Sequence, residues 1–383
     1  MNKFLSEAYE LEEELINVRR ALHKNPECGI ELDNTLNVIS GFLRNYGYKP
    51  NRCGGCSLVA DIGVGDECVL LRADTDALNI KEETDLDFRS ENGCMHACGH
   101  DIHTSMLLGA AALIKRNEHR MKRRVKLLFQ GGEEILFGAK DAIDHGILLN
   151  PSVDFAFMIH TVVGADLPVG SVILPPAGVI APSAHFFKVL IFGKNSHGAE
   201  PEKGVDAMRI AAEILSFLYE IKTLFGDTVL TVGSINGGRV ANVIADRVEL
   251  SGTFRTPSDR VQESVERYIS DNVKMIANRH GGRAEMVIDG SCPTFVNDVK
   301  TREKALNIAA EILGEDRVHP TDAVGGGSED FACFSHAVPS TMLAMSADVA
   351  SLGVKYPLHN PKVVFSEEVI KYGAAIYGGF AFL

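Results

Sequence analysis

No stretch of the chain approaches the roughly 18 consecutive apolar residues that a membrane-crossing helix needs. The opening segment MNKFLSEAYELEEELINVRRALH also lacks the apolar centre of a secretory signal. Neither a membrane span nor export is therefore expected, and the expected compartment is the cytoplasm. No basic stripe is present either. The net charge is −13, and the run Arg120–Arg124 reads as the solvated end of a helix before a strand. That balance argues against a general role on nucleic acid. Cysteine is present but forms no framework: the eight residues fall at 28, 53, 56, 68, 94, 98, 292 and 333. No second CxxC accompanies Cys53-Gly-Gly-Cys56, so that pair reads as a glycine turn between two small apolar residues, not half of a zinc knuckle. A chain of this size does not need disulfides, and without an export signal its thiols are expected to be reduced. Internal repeats and low-complexity tracts are absent as well.

What is present is an ordinary globular composition, 45% hydrophobic and 23% charged, over 383 residues. Single cores stop growing near roughly 250–300 residues, so two domains are expected. In the first third, apolar runs 69–74, 125–130 and 154–160 read as buried strands, and 102–115 has helical spacing. Strand–helix alternation predicts an α/β fold, a mostly parallel sheet with helices on both faces. From about His185 the order becomes strand, helix, strand, strand, helix, strand, the plan of a ferredoxin-like α+β unit. Prolines 175, 176 and 182 mark its entry, and Pro293 with the polar stretch 297–303 marks its exit. The expected division is a metal-binding domain over 1–183 and 296–383, with a lid or dimerisation domain inserted over 184–295.

Metal-type side chains gather in MHACGHDIH, which holds His96, Cys98, His100, Asp101 and His103. Read as an extended segment, it puts Cys98 and His100 on one face, and thiolate with imidazole suits Zn²⁺ and its neighbours. Glu133 and Glu134 follow the run 125–130, and His160 ends the run 154–160. Open α/β sheets build their sites beyond the carboxyl ends of strands, so these residues point at one crevice. His359, in the proline-bounded YPLHNP, can close the ligand set from a loop. Taken singly, a histidine at a strand end is more often a satisfied polar group, and an adjacent Glu pair is more often a solvated turn. The dense Cys-x-His-Asp cluster is the feature that packing alone does not explain.

These motifs resemble the amidohydrolase branch of the dinuclear-metal peptidase and aminoacylase family, which includes hippurate hydrolases, indole-acetyl-amino-acid hydrolases and N-acyl-amino-acid deacylases. The resemblance runs through RRALHKNPE, LRADTDALNI, MHACGHDIHT, FQGGEE, SHGAEPEKGVDA, TVGSINGGRVANVIADRVELSGTFRT, GGSEDF and LHNP, almost the whole length. It implies an aminopeptidase-like metal-binding domain with two divalent ions per subunit, drawn from Zn, Mn, Co and Ni. Cys98, His100, Glu134, His160 and His359 match the ligands, and Glu133 matches the general acid/base. Asp76 matches a carboxylate supporting the centre from behind. His197 matches a histidine that reaches the partner's active site in a homodimer formed through the inserted domain. Asn242 and Arg255 match segments that contact the substrate.

The implied reaction is hydrolysis of the amide of a small N-acyl amino acid (N-acetyl, benzoyl or similar), releasing a carboxylic acid and a free amino acid. A dipeptidase or carboxypeptidase of the same fold and a metal-binding homologue without catalysis are the alternatives. A thiol enzyme using Cys98 with His100 is disfavoured, because the two would compete for one metal. Some positions depart from the family pattern. Gly131-Gly132 replaces Pro-Ala before the Glu pair, Ile135-Leu136-Phe137 replaces a glycine run after it, and Thr161-Val162-Val163 follows His160 where an aromatic and a proline are common. None removes a ligand; all reshape loops beside the site.

Overall fold

A computed structural model describes residues 2–349 and 355–383. The chain forms two compact units. One comprises Met1–Ile180, Val296–Val324 and Asp330–Leu383; the other comprises Ala181–Phe295 and the short return Gly325–Glu329.

The first unit is built on an eight-stranded sheet in the order Asn51–Cys53, Ser57–Gly63, Arg124–Gln130, Cys68–Asp74, Phe155–Val162, Ser340–Ser346, Val172–Leu174, Val318–Pro320. Cys68–Asp74 pairs in parallel with both Arg124–Gln130 and Phe155–Val162, and Ser340–Ser346 runs parallel to the latter. Every residue of Cys68–Asp74 is buried. That is the requirement on a strand covered by helices on both faces, and the reason it reads as an unbroken apolar run. Because these central strands share a direction, the residues beyond Asp74, Gln130 and Ile159 emerge at one edge of the sheet.

Helices supply the covering layers. Lys3–Lys24 starts at Asn2, whose side chain accepts from the Phe4 amide, and buries Phe4, Ala8, Leu11, Leu15 and Leu22 along one stripe. The helix His100–Arg116 is buried at every position from His100 to Ile114. It packs so closely that a Cβ at Gly109 would come within 2.7 Å of both Leu15 and Ala374. Only glycine permits that approach of the three helices. Beneath the site edge, the fully buried Arg72 donates to Asp74 at 2.8 Å, to Asp330 at 2.8 Å and to Gln130 at 3.0 Å. Breaking such a buried ion network by removing one partner costs about 3–5 kcal/mol, so it holds the strand ends in fixed positions.

The second unit is a four-stranded antiparallel sheet in the order Arg283–Cys292, Ser183–Phe192, Arg247–Thr256, Val229–Gly237. Its last strand lies beside its first, and its third lies between first and second, the ferredoxin-like arrangement. The helices Ala207–Tyr219 and Asp259–Arg279 bury one face, joining Ile210, Ile214, Ile269 and Val273 to Phe187, Val189 and Ile191. Asp206 and Ser258 cap these helices by accepting from Met208 and Val261 amides. Val229–Gly237 is an edge strand, paired on one side only and largely exposed. Among the described residues, no helix is long and apolar enough to cross a membrane.

Candidate metal centre

The expected extended geometry of Cys98-Gly-His100 is not what forms. Ala97 and Cys98 lie in a turn, Gly99 takes φ +89°, and His100 opens the helix His100–Arg116. A left-handed residue reverses the chain at no steric cost only when it is glycine. Space is also tight there, since a Cβ at Gly99 would press within 2.5 Å of the Thr161 hydroxyl. The turn, not strand alternation, is what brings Cys98 and His100 together. Because the chain enters a helix, the dense cluster disperses. Asp101 turns away to Arg19 (2.6 Å) and His23 (2.8 Å), while His103 bonds Asp74 (2.6 Å) and the Thr161 hydroxyl (2.8 Å). His96 is buried with neither ring nitrogen hydrogen-bonded, and burial lowers its pKa to about 3.

Two donor groups contain Cys98, each with its ligand atoms within 4.8 Å of one another: Cys98, His100 and His160, and Cys98, Glu134 and His359. The Cys98 sulfur is common to both. It lies 3.6 Å from His160 Nε2 and 3.3 Å from His359 Nε2, while His359 Nε2 is 3.6 Å from Glu134 Oε1. The imidazoles are oriented from behind. His100 Nδ1 donates to the Asp76 carbonyl at 2.8 Å, and His160 Nδ1 donates to the Thr161 carbonyl at 2.7 Å. That fixes the tautomer and turns each Nε2 inward, as in metal sites generally. His100 Nε2 is buried without a hydrogen-bond partner. A buried orphan nitrogen is costly unless something else fills its valence. His359 holds φ +65°, an unusual backbone state for a non-glycine residue, and its amide is tied to the Ala97 carbonyl at 2.9 Å. Strain of that kind persists where surrounding structure enforces it.

Asp76 organises the Glu pair: its two carboxylate oxygens accept from the Glu133 and Glu134 amides, each at 3.1 Å. Glu133 is only 6% exposed, and its Oε2 lies 4.0 Å from His100 Nε2. Sequence reasoning named Asp76 and counted His103 in the dense cluster without giving it a role, and it did not name Asp74 as a site residue; both group with His100. The signal was available, since Asp74 ends a buried strand and His103 lies three residues past His100.

The electrostatics fit divalent cations. Burial works against charge on His100, but the Asp74 carboxylate, a hydrogen bond to Asp76 and the neighbouring Cys98 outweigh it and raise its pKa well above the ordinary value, favouring at this spot a positive charge that a bound ion would supply in the proton's place. Burial, reinforced by His103, lowers His160 to about 3, so it is a neutral imidazole. Burial pushes the Cys98 thiol up, partly offset by His100. A divalent ion favours the thiolate and removes that penalty. Divalent ions would suit this mixture of thiolate, imidazole and carboxylate.

The other candidate residues lie in the second unit. His197 is exposed; its Nδ1 accepts from the Ala199 amide at 3.0 Å, which leaves Nε2 as the donor. It bridges Val243, and the Asn242 carbonyl accepts from the Gly198 amide at 2.8 Å, so His197 and Asn242 occupy neighbouring segments. Arg255 donates to Ser328 at 2.6 Å.

The expectation that the thiols are all reduced needs correction: Cys28 and Cys94 form a disulfide. Tertiary structure causes it. Cys28 bridges Ala77 on one side of the segment after Cys68–Asp74, and Met95 bridges Leu78 on the other. The two Cα atoms are thereby set 6.5 Å apart, within bonding range. Cys53 and Cys56 are buried free thiols outside both donor groups.

A shared sulfur between two donor triads, beyond the carboxyl ends of a mostly parallel sheet, defines a dinuclear metal hydrolase. The chain belongs to the peptidase family M20/M25/M40, whose sequence profile matches residues 70–382. It is 32% identical to thermostable carboxypeptidase 1 of Saccharolobus solfataricus over 98% of this chain and 96% of that one. It is 30% identical to an N-acetylcysteine deacetylase of Bacillus subtilis over 96% of each chain. Among solved structures, a dinuclear metal-binding peptidase of B. subtilis from this family superposes with TM-score 0.74 at 28% identity, covering 98% of both chains. The chain is a metal-dependent amidohydrolase with donor groups that could hold divalent ions.

Proposed function

We propose that the enzyme hydrolyses the amide bond of N-acyl amino acids, releasing a carboxylic acid and a free amino acid. The observation that carries this reading is the buried Glu133 carboxylate, on a residue whose backbone amide Asp76 holds, beside two donor groups that share Cys98. Cys98, His100, Glu134, His160 and His359 hold the ions, and Asp76 orients the Glu pair. Two bound divalent ions supply Lewis acidity, making water more acidic and polarising a carbonyl. Glu133 takes a proton from the attacking water at a carboxylate oxygen and passes it to the leaving nitrogen. His197 donates from Nε2 to the developing oxyanion, an interaction that strengthens as charge builds. Asn242 and Arg255 bind the polar end of the substrate.

The carboxypeptidase relatives favour a second reading, cleavage of a peptide with a free amine. Parallel assays separate the two: kcat/KM for an N-acetyl or N-benzoyl amino acid is expected to exceed that for the matching free-amine dipeptide at least tenfold. Equal or reversed values overturn the deacylase reading.

The enzyme works as a homodimer in which each His197 serves the partner's site. The exposed edge strand Val229–Gly237 supports this, because an unpaired edge is readily covered by its copy across a two-fold axis. Mixing inactive His197→Ala with inactive Glu133→Ala under subunit exchange is expected to restore roughly a quarter of wild-type activity, since half the dimers are mixed and one site in each is complete. No recovery, with exchange shown independently, would place His197 in its own chain's site or outside catalysis.

A further inference from the structure

Between the Leu78 bridge and the helix starting at His100, the backbone forms no helix or strand beyond the Met95 bridge. This irregular segment nevertheless ends in the Cys98 turn. Its first part is tied to the N-terminal helix through side chains, with His23 meeting Glu82 at 3.1 Å and Phe88 lying against Arg19, Arg20 and His23. Asn92 donates to the Pro26 carbonyl at 2.8 Å, and the Ala77 amide donates to Glu27 at 2.8 Å. The one covalent tie is Cys28–Cys94, four residues before Cys98. His96, between them, is buried with no hydrogen bond from its ring, which lies 6.4 Å from the ring of His23.

We propose that Cys28–Cys94 is a redox-responsive clamp on the metal-binding segment, whose reduction loosens Cys94–Cys98 and weakens metal retention. The proposal rests on reading Cys98 and His100 as ligands. Accessibility supports it. Both bonded cysteines are only half-buried, whereas Cys53, Cys56 and Cys68 are buried, with thiols pushed up to about 11 by that burial. Reagents therefore meet the bonded pair before those thiols. The co-reactant is a dithiol of small-molecule or protein origin. Its thiolate attacks one sulfur of the bond, giving a mixed disulfide and freeing the other cysteine. Its second thiol then displaces the remaining cysteine. The reductant leaves as its own disulfide, and Cys28 and Cys94 gain two electrons and two protons as thiols. A disulfide oxidant runs the exchange backwards.

The experiment compares air-purified enzyme, enzyme reduced by a phosphine that is then removed, a Cys28→Ser/Cys94→Ser variant and a Cys333→Ser control. Thiol titration under denaturing conditions should count two more thiols in the second than in the first. Zinc affinity is measured by competition with a chromophoric chelator, and amide hydrogen exchange is followed over 90–98. Reduced enzyme and double variant should both bind zinc about 10–100-fold more weakly, the cost typical of losing a residue that orients a ligand, and exchange faster over that segment. The Cys333→Ser control should match the oxidised enzyme. Equal zinc affinity in oxidised and reduced enzyme overturns the clamp, even if the double variant is weakened. So do eight free thiols in air-purified protein. Absence of zinc binding in every form overturns the ligand reading beneath it and the proposal with it.

Discussion

Glu133→Gln is expected to keep fold and metal content while lowering kcat by about 10²–10⁴-fold, the usual worth of a general acid–base group. Glutamine preserves size and can still accept from the Asp330 amide, which now meets Glu133 Oε1 at 3.4 Å. The Asp76 contacts run to backbone amides and are untouched by the change. What disappears is the carboxylate that, in the proposed mechanism, moves a proton from water to the leaving nitrogen. Glu134→Gln should behave differently. Its Oε1 lies 3.6 Å from His359 Nε2 in the second donor group, so metal content should fall along with activity. Turnover measured beside metal analysis by mass spectrometry decides the matter. A Glu133 variant that loses metal, with a Glu134 variant that keeps it, would reverse the assignment.

Exhaustive chelation is expected to abolish hydrolysis, and added divalent metal to restore it. The shared sulfur makes a sharper form of this result possible. Cys98 belongs to both donor groups, whereas His359 belongs to one. Cys98→Ala should therefore deplete both ions, and His359→Ala should leave about one of two, as in other two-metal sites. Equivalents of metal per chain after dialysis provide the measurement. Full activity in verified apo enzyme, or two ions retained without Cys98, would contradict the centre described above.

Much of the fold was legible because burial writes itself into sequence. Cys68–Asp74 is apolar without alternation because both its faces are covered, and the helix Lys3–Lys24 shows its stripe because one side of it meets the core. The metal donors were legible for a chemical reason: thiol, imidazole and paired carboxylates at strand ends have few other uses together. Less legible was anything set by a single backbone torsion. Gly99 turns what reads as an extended segment into a turn and a helix start, so His103 faces Asp74 and Asp101 faces Arg19.

By itself, the sequence determined the alternating α/β plan, the ferredoxin-like strand order of the second unit and the list of side chains able to bind metal. These follow from local periodicity and residue chemistry, which are properties of neighbours along the chain. Tertiary structure alone decided which of those side chains meet. His359 reaches Cys98 across 261 residues, Cys28 finds Cys94 across 66, and Asp330 completes the Arg72 network from 258 residues away. Such pairings depend on the packing of the whole sheet and its helices, because the energy that fixes them is shared among many buried contacts and written in no single motif.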